Sequence, residues 1–421
     1  MEHPFRFTEV VTGIKPSATL AINQKSKELL EAGKTIYRFG LGQSPFPVPN
    51  LVTAALRENA HQKDYLNTKG LQELREAVAQ YHLRKDGLEF KAENIQIGPG
   101  SKELIYGVML ALDATLILAN PSWVSYEPQA RLSTKTIQWI DTDIEQKWKI
   151  STEQLDAYTA TISGSKMMLL NYPNNPSGQT YTEQELQAID HIARKHNITI
   201  ISDEIYGALA YEKHCSIAAY YREGTIVTAG LSKWCGAGGW CLGTAAFPDE
   251  LGKLANYMGI IASETYTAVA APIQYAAVEA FRESPSIKDY LIKSKAILKS
   301  VSNYCENILK ESRLDFHSSE GGFYLFIVAE AYREELEKRN IKDGKDLVNA
   351  LLEETGIAVL PGSDFGREET ELSFRLAYVD FDGKQALEQY ETFPDKSEFI
   401  RKCCPAIFEG MKILRNFFHT P

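Results

Sequence analysis

Ile198-Thr199-Ile200-Ile201-Ser202-Asp203-Glu204-Ile205-Tyr206 runs from four apolar or β-branched residues straight into a serine and two acids. A run that short, apolar on both faces, predicts a buried strand, because a helix needs more residues and shows one apolar stripe. Just upstream, Thr182 to His196 reads as a helix, with Thr182 and Glu185 spaced as a capping box. The same alternation extends outward. Lys166-Met167-Met168-Leu169-Leu170 and Thr115-Leu116-Ile117-Leu118 are strand candidates before it, and Thr225-Ile226-Val227-Thr228 is one after it. Asn94-Ile95-Gln96-Ile97 is a further strand, followed by a helix from Glu103 to Leu112. Short buried strands alternating with helices predict an α/β fold: a mostly parallel central sheet with helices on both faces.

Beyond Pro285 the pattern changes. Leu291, Ser294, Leu298, Val301, Cys305 and Ile308 recur at three- and four-residue steps, which predicts one face of a long helix. Strand candidates follow at Phe323-Tyr324-Leu325-Phe326 and Leu372-Ser373-Phe374-Arg375-Leu376. The chain of 421 residues exceeds what one core ordinarily serves, so two domains are expected. The large one spans residues 46–284. The smaller, α+β one combines residues 1–45 and 285–421.

Composition narrows the function. With 45 Lys+Arg against 55 Asp+Glu the net charge is −10, which argues against nucleic acid and anionic membrane as partners. No apolar run is long enough to span a bilayer. The start, Met1-Glu2-His3-Pro4-Phe5-Arg6, has an early acid and no apolar core, so no secretory signal is expected. The six cysteines (215, 235, 241, 305, 403 and 404) form no Cys-x-x-Cys pair, and the histidines form no His-Glu-x-x-His. A reduced, cytoplasmic protein without a metal site is the expectation.

In open parallel sheets ligands bind beyond the carboxyl ends of the strands. Four such ends are rich in chemistry. Ile97 leads into Gly98-Pro99-Gly100-Ser101-Lys102, where glycines and free N–H groups at a helix start suit a phosphate, or Ser101 simply caps a helix. Leu170 leads into Asn171-Tyr172-Pro173-Asn174-Asn175-Pro176-Ser177-Gly178, a fixed loop with amide donors. Asp203 follows four apolar residues and is desolvated there unless a cation or donor faces it; helix capping by Ser202 or Asp203 is the plain alternative. Val227 leads through Gly230 to Ser232-Lys233, and burying that lysine would lower its pKa and make it a nucleophile towards carbonyls. Gly236-Ala237-Gly238-Gly239-Trp240-Cys241 lacks the third glycine of a dinucleotide loop. A phosphate cradle, an amide, a buried acid with a nearby phenol, and a lysine are together the equipment of a pyridoxal phosphate site.

At this point the chain resembles the class I/II aminotransferases of fold type I over nearly its whole length. The resemblance rests on Asn174-Asn175-Pro176-Ser177-Gly178, Ser202-Asp203-Glu204-Ile205-Tyr206, and Ser232-Lys233 followed by Gly239-Trp240 and Gly243. Gly42 before Pro45, Tyr65 before Gly70, Gly100-Ser101-Lys102, Pro121-Ser122-Trp123, Pro361-Gly362-Ser363 and Phe374-Arg375 support it. The resemblance implies pyridoxal 5'-phosphate as cofactor, and Lys233 as the residue that holds it as an imine and then shuttles a proton. Asp203 would keep the pyridine nitrogen protonated. Asn175 and Tyr206 would bond the ring oxygen, and Trp123 would stack on the ring. Gly100, Ser101, Lys102 and Ser232 would hold the phosphate, with Tyr65 arriving from the second subunit of a homodimer. Arg375 would clamp the substrate carboxylate, near Gly42, Asn175 and Trp123.

The pattern breaks at Cys241, where the family usually has Arg or Lys facing the phosphate, and at Gly230, where many members have a hydroxyl. The function expected is amino-group transfer between an L-amino acid and a 2-oxo acid. Carbon–sulfur β-elimination, or other chemistry at the α-carbon, is the alternative on the same fold. A weakened or non-catalytic homologue is a third reading; the residues before Gly40 are too few for the winged helix of a regulator. Tyr65, Trp123, Tyr126 and Tyr266 favour aromatic or apolar donors, with glutamate and 2-oxoglutarate as a partner pair.

Overall fold

The computed structural model describes residues 6–14 and 18–419. Its main sheet has seven strands: β1 (Ile95–Gly98), β2 (Thr115–Asn120), β3 (Ile137–Asp141), β4 (Lys166–Asn171), β5 (Ile198–Asp203), β6 (Thr225–Gly230) and β7 (Gly243–Ala246). They lie in the order β1-β7-β6-β5-β4-β2-β3. The strands from β2 to β6 are parallel to their neighbours, and β7 runs antiparallel to both β6 and β1.

Alternation along the strands explains the layers. Leu116, Leu118, Met167, Leu169, Ile201 and Ile226 turn to one face, where Leu104, Ile105 and Val108 of helix Ser101–Ala111 cover them with Leu254 and Met258 of helix Gly252–Glu264. Ile117, Met168, Leu170, Ile198 and Ile200 turn to the other, against Leu155 of helix Thr152–Thr161 and Leu186, Ile189 and Ala193 of helix Glu183–His196. Side chains of period two facing two helical layers give the α/β sandwich that the apolar runs predict.

The second region is built on helix Pro285–Leu309, whose Ser294, Leu298, Val301 and Cys305 are buried as their spacing requires. A three-stranded antiparallel sheet adjoins it: β8 (Tyr324–Val328), β9 (Leu360–Pro361) and β10 (Ser373–Ala377), ordered β9-β10-β8. Tyr37–Arg38 pairs in parallel with Ile357–Ala358, and the Arg38 guanidinium meets Asp380 at 2.8 Å. The segment around residue 38 therefore docks on the carboxyl-terminal region.

Two strands of the main sheet had no signal. Ile137–Asp141 is an edge strand whose residues are mostly half-buried, so it lacks a continuous apolar run. Gly243–Ala246 is made of Gly-Thr-Ala-Ala, and small residues are required there because a Cβ on Gly243 would strike the backbone of Gly100 and Ser101.

Register sets up the site. Asn171 sits beside Asp203, and Asp203 beside Thr228, so β4, β5 and β6 end in line. The helix between β4 and β5 is held by the capping box its sequence announces: Thr182 Oγ1 accepts from the Glu185 N–H at 3.2 Å, and Glu185 accepts from the Thr182 N–H at 2.7 Å. Thr182→Ala should lower stability by about 1 kcal/mol in urea unfolding. A change under a few tenths would show that this cap contributes nothing.

Candidate active site

A cleft of about 630 Å³ opens at the carboxyl ends of β4, β5 and β6. Gly42, Gly100, Ser101, Lys102, Trp123, Asn175, Asp203, Tyr206, Ser232, Lys233 and Arg375 all line it. Of the residues expected there, Tyr65 alone is absent from the lining; it stands 93% exposed on the surface of the protomer.

Asp203 ends β5 and is 2% exposed. Tyr126 donates to its Oδ2 at 2.7 Å, and the Ile205 N–H and Thr228 Oγ1 approach Oδ1 at 3.3 and 3.5 Å. Burial pushes the carboxyl up to about 6, against the pull of these donors and of Lys233. The capping alternative does not hold, since the next element is a short 3-10 turn at Gly207–Leu209 that starts after Tyr206 and has no side chain capping it.

Lys233 is half-buried, and its Nζ donates to the Gly42 carbonyl at 2.6 Å. Burial pulls its ammonium down to about 8; Arg375 and Lys102 push the same way and Asp203 opposes them. Its ordinary value is 10.5. At pH 7 about a tenth of such a group is neutral, against well under a thousandth of an ordinary lysine.

Arg375 enters from β10 and is fully buried. Nη1 donates to Asn175 Oδ1 at 3.0 Å and Nη2 to the Gly40 carbonyl at 2.5 Å, while Nε has no partner among the described residues. The guanidinium lies over the Tyr324 ring at 4.7 Å and the Phe365 ring at 5.0 Å. Asn175 is oriented from behind, because its N–H donates to Asn171 Oδ1 at 2.8 Å.

On the other wall, helix Ser101–Ala111 begins with Gly100 at φ 89° as its N-cap and no side chain capping it. Ser101 is thus the first helical residue, not the cap, and its hydroxyl is left for another partner. Trp123 stands edge-on to Tyr126 at 5.1 Å, with the Lys102 ammonium 5.0 Å from its ring centre. Cys241 lines the same wall, exposed, in a left-handed conformation at φ 48°.

Sequence reasoning missed the part that three supporting groups play. Tyr126 holds Asp203; its place one helical turn after Trp123 was the available signal. Tyr324 bonds Tyr206, hydroxyl to hydroxyl, at 2.8 Å, and nothing in a buried strand marks such a phenol. Asn171 donates to the Asp203 carbonyl at 3.0 Å, as a residue at the end of the neighbouring strand is placed to do. The four rings expected to form an aromatic pocket are scattered. Trp123 and Tyr126 line the cleft, Tyr65 is exposed, and the Tyr266 hydroxyl sits against Gln96 and the Ile97 carbonyl.

A free-ended helix start, an aromatic plate, a buried acid and a depressed amine fit an aromatic aldehyde cofactor that carries a phosphate. The raised carboxyl of Asp203 has a consequence for the protein without such a group. A buried acid whose folded pKa lies above its unfolded value costs stability once ionised, so its contribution falls as pH rises from about 4 to 6. Asp203→Asn should therefore gain on the wild type across that window, by up to about 3 kcal/mol at neutral pH. Urea unfolding of both cofactor-free proteins from pH 4 to 7.5 checks this; a difference that does not change with pH refutes it.

Comparison with known proteins accounts for this arrangement. Residues 33–384 match the family described as aminotransferase class I and II. The chain is 32% identical over 398 residues to the aspartate aminotransferase of Bacillus subtilis, covering 92% of this chain and 98% of that protein. It is 31% identical to the asparagine–oxo-acid transaminase of Streptococcus mutans, with the same coverage. The solved structure of Thermus thermophilus aspartate aminotransferase with maleate superimposes with a TM-score of 0.82 at 27% identity, covering 92% of this chain and 99% of that one. The chain belongs to the class I and II aminotransferases and is an enzyme of amino-group transfer.

Proposed function

We propose that this enzyme binds pyridoxal 5'-phosphate in the cleft and moves an amino group between an L-amino acid and a 2-oxo acid, with Lys233 as the catalytic acid and base. The observation that carries this reading is the meeting of a depressed amine and a buried carboxyl across one cleft. When bound, the cofactor supplies the electron sink for the pair left at the substrate Cα. Everything else falls to side chains. Lys233 would take the proton from the substrate Cα and return it to the carbon on the far side of the intervening nitrogen, which suits an amine near neutrality on a flexible stem. Asp203, mostly ionised at pH 7, would hold a proton on the ring nitrogen, with Tyr126 fixing its carboxylate. The Asn175 amide and the Tyr206 hydroxyl would bond the ring oxygen, and Trp123 would stack on the ring. The helix start at Gly100-Ser101-Lys102 and Ser232 would hold the phosphate.

Arg375 binds the α-carboxylate through a two-pronged, charge-assisted contact that replaces its bonds to neutral acceptors. Acidic amino acids and their amides come first as donors, because relatives are named for aspartate and asparagine. Aromatic donors come second, given how few of the four rings face the cleft. The reading includes a large part, residues 46–284, and a small part, 1–45 with 285–421, joined where Arg375 meets Asn175. It also includes a homodimer in the cytoplasm. The 93% exposure of Tyr65 supports the dimer, since the phenol would complete the partner's phosphate site. The half-exposed Tyr257 and Ile260, three residues apart on helix Gly252–Glu264, supply apolar surface on the same protomer. Six unpaired cysteines fit a reducing compartment.

Borohydride treatment of the loaded enzyme should fix the cofactor on Lys233, and Lys233→Ala should lose at least 100-fold in turnover. Full turnover in that variant would refute the assignment. An amino acid alone should convert the cofactor to its amine form; release of pyruvate and ammonia instead would mark β-elimination. Arg375→Lys should raise KM for the donor about 10- to 100-fold with a smaller change in kcat. Light scattering should give a dimer, and a fully active monomer at assay concentration would overturn that part.

A further inference from the structure

A bound phosphate dianion needs a counter-charge, and the cleft offers few. Three of its lining residues are cationic: Lys102, Lys233 and Arg375. Two already have tasks. Lys233 is the reacting amine and sits on the Gly42 carbonyl. Arg375 lies at the far wall, seated on Asn175 and the Gly40 carbonyl.

Lys102 is different. It is the second residue of helix Ser101–Ala111, it is open to the cleft, and its ammonium lies over the ring of Trp123, with no carboxylate paired to it among the described residues. The adjoining helix start is uncapped, so the N–H groups beside Lys102 also favour an anion. Its backbone is fixed, because Gln129 Nε2 donates to the Lys102 carbonyl at 2.7 Å. Desolvation lowers the Lys102 ammonium, and its charge in turn lowers Lys233. An anion placed between Lys102 and Lys233 would relieve that pressure on Lys233. Residue 241 supplies no such charge. Cys241 lines the same wall with its thiol turned towards the Gly238 carbonyl at 3.8 Å, and a thiol is a weak donor.

We propose that the Lys102 ammonium is the counter-charge of the cofactor phosphate, in place of a cation that position 241 lacks. This rests on the reading of the cleft as a pyridoxal phosphate site. The test titrates cofactor-stripped protein with pyridoxal phosphate and, separately, with pyridoxal, which carries no phosphate, and follows bound cofactor by absorbance. Lys102→Gln, and Lys102→Met as a second neutral variant, should raise Kd for pyridoxal phosphate roughly 10- to 100-fold. Pyridoxal affinity should change by no more than about two-fold, since it has no phosphate to lose. Lys102→Arg should bind like the wild type, and adding Cys241→Arg to Lys102→Gln should restore the loss. Equal constants for wild type and both neutral variants overturn the proposal. So does a matching loss for pyridoxal, which would place Lys102 at the ring, or a loss confined to KM for dicarboxylic donors, which would place it at the substrate. A wild-type protein that binds neither form overturns the cofactor reading itself.

Discussion

Asp203 ends a central strand with a carboxyl that water cannot reach. Taking an ionised carboxylate out of water is costly unless donors or a cation replace the lost hydration. The donors here are few: one phenol at 2.7 Å and two longer contacts. Burial therefore pushes the carboxyl up to about 6. Much of the architecture follows from holding this one group in place. The strands must be parallel and in register so that Asn171 and Thr228 flank it. The helix Tyr126–Leu132 must begin over the strand ends so that Tyr126 reaches it. Lys233 must come from the loop after β6, the adjoining strand, so that amine and acid share one cleft.

Arg375 ties the two regions of the chain together at the same point. Its two terminal nitrogens bond Asn175, from the loop after β4, and Gly40, from the amino-terminal segment. Tyr324 lies beneath the guanidinium and bonds Tyr206, so Arg375 and Tyr206 share one support. Gly42 belongs to this joint as well. A Cβ there would collide with the Tyr324 phenol, while its carbonyl receives Lys233. Both bonds of the guanidinium go to neutral acceptors, and Nε has none among the described residues. A buried cation whose bonds go to neutral acceptors alone gains by meeting a carboxylate.

The strands β4, β5 and β6 were legible because they are buried on both faces, so their sequences are continuous apolar runs ending in polar residues. The long helix and the capping box were legible for the same local reason. β3 and β7 were not, because an edge strand needs no apolar run and β7 is shaped by contact with Gly100 and Ser101, which are far away in sequence. The site divided in the same way. Asp203, Asn175 and Lys233 stand at strand ends, where position alone suggests chemistry. Tyr324 and Gly40 act through tertiary contacts, and a phenol inside a strand or a carbonyl in a loop carries no local mark. Even Tyr126, suspected as part of an aromatic wall, turned out to serve through its hydroxyl.

The neighbouring acid shows what a fully provided carboxylate looks like. Glu204 follows Asp203 and is also buried. His214 Nε2 donates to it at 2.8 Å, Ser202 Oγ at 3.0 Å, and Ser216 adds a third donor. Burial alone would raise its carboxyl, yet His214, Lys85 and these hydroxyls together hold it down at about 2. Two consecutive buried acids thus titrate on opposite sides of the ordinary value, and the difference lies in their partners, not in burial. Glu204 has its charge answered inside the fold and is a structural anion. Asp203 has its charge only partly answered, and the missing partner must come from the cleft. A protonated ring nitrogen would supply it, converting a group that strains the cofactor-free fold into one that binds the cofactor more tightly as it ionises.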